Sequence, residues 1–218
     1  MLEWRARFAD QRPSVADVSD HSPAWARALS DILSPPVVWG TLAFPMAWRA
    51  TGSLEAALPW ALIYLALVCL LPAGYIGFEV WRGRISDLHI NLREQRLKPY
   101  AVSLTGAGLA FLAMLILNAP QLMALFTLFT FVQMFLMLVF TTRWKISMHS
   151  MSITSAVCTL GVLYGLQVLL LLSPLILIVA VARVRLRRHS VKQVIAGIAV
   201  GSIATFAMGL LIQPLLYP

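Results

Sequence analysis

The chain has 218 residues, is 60% hydrophobic and only 12% charged, and carries a net charge of +8. That is too apolar for an ordinary soluble domain, and several runs of about twenty residues are almost free of charge, the length a transmembrane helix needs. The charges flank these runs and form no long basic stretch with interleaved aromatics, so nucleic acid is excluded as a partner and the positive-inside rule accounts for them.

Residues 1–32 read as a cytoplasmic arm. They are not a signal peptide, because Glu3, Asp10, Asp17, Asp20 and two prolines interrupt any apolar core. Ser22 as N-cap and Pro23 as first helical residue start a helix. Trp25, Leu29, Ile32 and Leu33 recur at helical spacing, so this helix is expected to be amphipathic and to lie on the membrane surface.

Residues 33–218 read as the membrane domain, an all-α, polytopic helical bundle of about seven transmembrane helices. The spacing predicts spans at roughly 33–50, 57–81, 100–118, 121–142, 147–164, 167–183 and 190–214. The first contains Pro35, Pro36 and Pro45 and should be short or kinked, and the second contains Pro72 and Gly74. Gly197 and Gly201 form a GxxxG pair suited to close helix packing. Cys69 and Cys158 fall inside spans and read as free, buried thiols. An odd number of spans puts the C-terminus opposite the N-terminus. The expected setting is a multi-pass protein of a bacterial inner (plasma) membrane, with the N-terminus and basic loops cytoplasmic.

Sixteen of the 17 Lys and Arg residues fall on that one side, Arg49 being the exception. They concentrate in loops 82–99, 143–148 and 183–192, which with their edges also hold His89, His149 and His189. Basic groups beside imidazoles suit a phosphate or diphosphate, and imidazole transfers protons or phosphoryl groups near neutral pH. His189 stands just before a helix, with Arg183 six residues earlier; nucleophile and phosphate clamp is one reading, and a basic stop at the membrane surface the other. His149 stands at a helix start, where exposed N–H groups bind phosphate oxygens; the plain reading is a Trp144–Lys145 interfacial anchor with a capping histidine. Asp87 and His89 could orient His189 or bind a metal, although two ligands two residues apart also suit a solvated turn, and no metal site is assigned. Glu79 reads as an interfacial partner of Arg82.

Together these loops resemble the type-2 phosphatidic acid phosphatase family, which also contains vanadium haloperoxidases. Ser147-Met148-His149 stands where that family has Ser-Gly-His at a helix start. Ala182-Arg183, five residues, His189, three residues and Gln193 stand where it has Ser-Arg, five residues, His, three residues and Asp. Asn91, six residues and Lys98-Pro99 stand where it has Lys, six residues and Arg-Pro, with Arg93 and Arg96 close by. The resemblance covers roughly the C-terminal third. It implies that His189 is the nucleophile, forming a phosphohistidine, that His149 is the general acid, and that Gln193 orients His189. Phosphate would be bound by Arg183 with Lys98, Arg96, Arg93, Lys145 and Ser147. No cofactor is implied. Gln193 in place of Asp accepts the imidazole N–H but does not stabilise an imidazolium as a carboxylate does; losing an orienting carboxylate can cost about four orders of magnitude in rate. Met148 replaces the glycine, and a full hairpin separates the first basic loop from the second.

The leading expectation is therefore a membrane phosphatase-like protein acting on a lipid phosphate or isoprenoid diphosphate at the cytoplasmic leaflet. The alternative is an inactive or weakly active relative serving as an anionic-lipid-binding scaffold, or as an accessory subunit of a membrane complex. An intramembrane aromatic prenyltransferase would need two Asp-rich loops, and the basic loops contain Asp87 alone.

Overall fold

The computed structural model describes residues 23–85, 90 and 93–216, and its regular structure is entirely helical. Ser22, Asp87 and His89 lie outside the described residues, as does the side chain of Arg93.

The first helix, α1 (Ala24–Ile32), starts one residue later than expected, with Pro23 as its N-cap. Ala26 and Ser30, one turn apart, are its buried face, while Trp25 and Ile32 are exposed. That face packs on Ala182 and Leu186 near the third basic loop. α2 (Pro35–Thr51) tolerates Pro35 and Pro36 in its first turn, where N–H groups have no partner, and carries Pro45 inside. Gly52, at φ 76°, ends it in the left-handed conformation that glycine adopts without strain.

A continuous rod follows: α3 (Leu54–Tyr64), a π-helical segment (Leu65–Leu70) and α4 (Leu71–Trp81). In the π segment the Leu71 N–H reaches back five residues to the Ala66 carbonyl. Pro72 follows and has no N–H to continue either register. The Leu67 carbonyl there presses on Gly106, where a Cβ would collide with it. At the end of the rod Glu79 pairs with Arg84 at 3.5 Å. Arg82, its expected partner, lies over the Phe78 ring instead, 4.4 Å from the centroid.

After a 3-10 turn (Arg93–Arg96) come α5 (Leu97–Ile116), α6 (Gln121–Arg143), α7 (Met148–Tyr164), α8 (Leu166–Leu172), α9 (Pro174–Arg185) and α10 (Val191–Leu216). Among the described residues, five helices are long and apolar enough to cross a membrane: Leu54–Trp81, Leu97–Ile116, Gln121–Arg143, Leu166–Arg185 and Val191–Pro214. The remaining two expected spans coincide with α2 and α7, each only 17 residues long, so the count of seven is not reached on length and composition.

The shortfall has a physical reason at α7. Eleven of its residues are buried, and they include His149, Ser150, Ser152, Thr154, Ser155 and Thr159. It is a polar central helix surrounded by α2, α8, α9 and α10 rather than a lipid-facing one. Two of its hydroxyls find partners across helices: Trp39 Nε1–H donates to Ser152 Oγ at 3.1 Å, and Gln133 Nε2–H donates to Ser155 Oγ at 2.7 Å. The glycine pair on α10 makes a second close approach to backbone, after that of Gly106. A Cβ on Gly197 would lie 2.5 Å from the Ser147 carbonyl oxygen, and one on Gly201 2.7 Å from that of Met151. Cys69 is a buried free thiol as expected, whereas Cys158 is only half-buried.

Candidate phosphate-binding site

Residues of α1, α2, the π-helical segment, α4, α5, α6, α7 and α9, with Ile90, Arg96 and His189 from the connections, surround a cavity of about 470 Å3. Arg96, His149, Arg183 and His189 line it together. Three basic loops far apart in sequence thus each supply at least one group to one space. All four side chains are buried, Arg183 to 1% exposure. Much of the remaining wall is apolar, with Val37, Trp39, Val68, Pro72, Ile76 and Met134. The cavity thus joins four basic or imidazole groups to a largely apolar wall.

Each polar group has a local origin. Ser190 and Gln193 form a reciprocal capping box at the start of α10: the Gln193 N–H donates to Ser190 Oγ at 3.4 Å, and the Ser190 N–H donates to Gln193 Oε1 at 3.1 Å. Since a backbone N–H can only donate, the atom it meets is the amide oxygen. That same oxygen lies 3.3 Å from His189 Nδ1. Nδ1 must then carry the proton, which leaves the Nε2 lone pair as the nucleophilic position. Burial, followed by the positive charges of Arg183, Arg96 and Lys145, pushes the His189 pKa down to about 2, with Gln193 opposing slightly. Both effects favour the neutral imidazole.

The first loop turns Arg96 inward, its Nε–H bonded to the Ile90 carbonyl at 2.8 Å. Ile90 is buried and held at φ 47°, a costly conformation for a β-branched residue. Pro99 lines the cavity, but Lys98 is exposed and does not. Among the described residues of this loop, Arg96 rather than Lys98 is therefore the cation brought to the cavity. Lys145 and Ser147 also stand back from the cavity wall. Lys145 Nζ donates to the Arg188 carbonyl at 2.9 Å, tying the second loop to the third. Ser147 caps α7, its Oγ accepting from the Ser150 N–H at 3.3 Å and the Ser150 hydroxyl at 2.9 Å. Met148, where the family has glycine, lines the cavity.

Two polar residues of α1 were not expected here: Asp31 lines the cavity, and Ser30 lies behind its wall. Ser30 of α1 is 3% exposed and meets two of the cavity groups. Arg183 Nη1–H donates to its Oγ at 2.6 Å, and His149 Nε2 lies 3.2 Å from its carbonyl oxygen and 3.4 Å from its Oγ. The only sequence signal was its position one turn after Ala26, on the face opposite Trp25 and Ile32.

Replacing Gln193 by glutamate keeps both acceptor contacts and sets a negative charge beside Nδ1. We expect Gln193→Glu to raise the His189 pKa by at least one unit, read by pH-dependent histidine NMR. The wild-type histidine has its pKa lowered on folding, so it contributes stability above its unfolded value near 6.5. That stability is lost as pH falls from there toward 2, and Gln193→Glu should shrink this acid loss.

Comparison with protein-family models, with curated proteins and with solved structures returns no match.

Proposed function

We propose that this protein is a divergent membrane phosphatase of the type-2 phosphatidic acid phosphatase kind, hydrolysing a lipid phosphate or isoprenoid diphosphate at the cytoplasmic leaflet. The observation that carries this reading is the meeting of His149, His189, Arg183 and Arg96 at one apolar-walled cavity. In this reading Arg183 and Arg96 hold the phosphate oxygens as charge-assisted donors. His189 Nε2 attacks phosphorus while the phosphorus–oxygen bond to the substrate breaks. His149, as the imidazolium, gives its Nδ1 proton to the departing oxygen, its Nε2–H remaining on the Ser30 carbonyl. Water, deprotonated by His149, then attacks the phosphohistidine and releases inorganic phosphate, returning both histidines to their starting forms. A neutral, desolvated imidazole with Nδ1 protonated is the form this requires. Leaving the hydrocarbon chain between helices avoids exposing it to water, worth about 0.8 kcal/mol per CH₂.

A second reading, an anionic-lipid-binding scaffold without turnover, is favoured by Gln193. Its neutral oxygen already serves the α10 cap and stabilises an imidazolium less than a carboxylate would. Phosphate release by the purified, detergent-solubilised protein separates the two. Phosphatidic acid, phosphatidylglycerol phosphate and prenyl diphosphates would be offered with magnesium and with chelator. The expected result is release that survives chelation. Release that depends on magnesium would contradict the histidine route, and lipid retention with no release supports the scaffold.

A further inference from the structure

We infer that Ser30, on the N-terminal helix, is a positioning residue of the proposed phosphate site, its hydroxyl aiming Arg183 and its carbonyl aiming His149. The inference rests on the function proposed above and extends the site to a helix outside the resembling segment.

Three observations lead there. First, α1 has nine residues, too few to persist as an isolated helix in water, so its docking decides its shape. It docks through Ala26 and Ser30 onto α9, the helix that ends in Arg183 and Arg185. Second, the Ser30 hydroxyl sits 2.6 Å from Arg183 Nη1, with both side chains out of solvent. Arginine has many rotamers, and one fixed before ligand arrives need not be ordered on binding. A hydroxyl orients the guanidinium without neutralising it, whereas a carboxylate in its place would compete with the phosphate. Third, the Ser30 carbonyl belongs to the last turn of α1, where carbonyls lack helical partners and the helix dipole is negative. His149 Nε2 lies 3.2 Å from it. A carbonyl can only accept, so Nε2 carries a proton and the tautomer of His149 is set by backbone.

The test uses the full chain in detergent with pyrophosphate as probe. Ser30→Ala removes the hydroxyl and keeps the carbonyl. Its pyrophosphate affinity, by titration calorimetry, should fall about tenfold, the scale of one lost hydrogen bond to a charged group. Ser30→Thr should restore it to within about threefold, which a purely structural role for the serine side chain does not predict. Histidine ¹⁵N NMR of the unliganded wild-type protein should show His149 as the Nε2–H tautomer, a reading that needs no variant to fold. Unchanged affinity in Ser30→Ala overturns the inference. So does tighter binding, which would mean that the hydroxyl occupies the anion's place. An Nδ1–H tautomer overturns the carbonyl half. If the wild type binds no pyrophosphate while the tautomer is as expected, the phosphate-site reading fails and the contact between α1 and His149 stands without it.

Discussion

His189→Ala should lower phosphate release by at least about four orders of magnitude, the scale seen when a covalent nucleophile is removed. The substitution takes away Nε2 and leaves Arg96 and Arg183 lining the cavity. Pyrophosphate binding should therefore survive, and the loss should appear in turnover rather than in affinity. Imidazole added to the buffer should restore part of the rate, because the emptied space adjoins a cavity of about 470 Å3. Thermal melting should identify the variant as folded. It should also show less destabilisation between pH 6.5 and 2, since the group whose pKa is lowered on folding is gone. Full release by His189→Ala would remove this histidine from the mechanism whatever the substrate.

Gly197→Ala is expected to have a large structural effect for a single methyl group. The new Cβ would lie 2.5 Å from the Ser147 carbonyl oxygen and 3.3 Å from the Met151 nitrogen. Both are backbone atoms, so no rotamer change relieves the overlap and α10 must retreat from α7. Overpacking of this kind costs about 1–3 kcal/mol, and adding Gly201→Ala should deepen it, because Met151 O would lie 2.7 Å from that Cβ. The retreat also acts on the site, since α7 begins at Met148 and carries His149, and α10 follows His189 directly. A displacement of about 1 Å can cost about a hundredfold in rate. Melting temperature and phosphate release should fall together. Gly74→Ala and Gly77→Ala are the controls: neither Cβ meets anything within 4 Å, and both should be neutral or slightly stabilising.

The parts of this molecule that were legible in the sequence are those written in local pattern. Apolar runs placed the long helices, the GxxxG pair marked a closely packed face of α10 without naming its partner, and the spacing of Arg183 and His189 picked out two groups that do line the cavity. Other features depended on long-range packing. Whether Arg96 or Lys98 turns inward is decided by a one-turn rotation at the start of α5 and by the Ile90 carbonyl, neither of which spacing encodes. Ser30 is 153 residues from Arg183, and an amphipathic pattern cannot say whether its small face meets lipid or protein. The apolar length of α7 was judged as a membrane span, but its Ser and Thr content is the mark of a helix buried among others. Ser190-x-x-Gln193 was a readable capping box, and reading it would have located the amide oxygen beside His189 from sequence.

The Ser147 N–H donates to the Gln193 carbonyl at 3.1 Å, and this bond joins the residue that caps α7 to the residue that orients His189. The two histidines thus share one piece of hydrogen-bonded backbone, which resists spreading them apart. In the proposed phosphatase, tolerance for different substrates would reside in the apolar wall beside Pro72 and the π-helical segment, where helix register is already irregular. Such a protein would be strict about the group it cleaves and permissive about the chain attached to it.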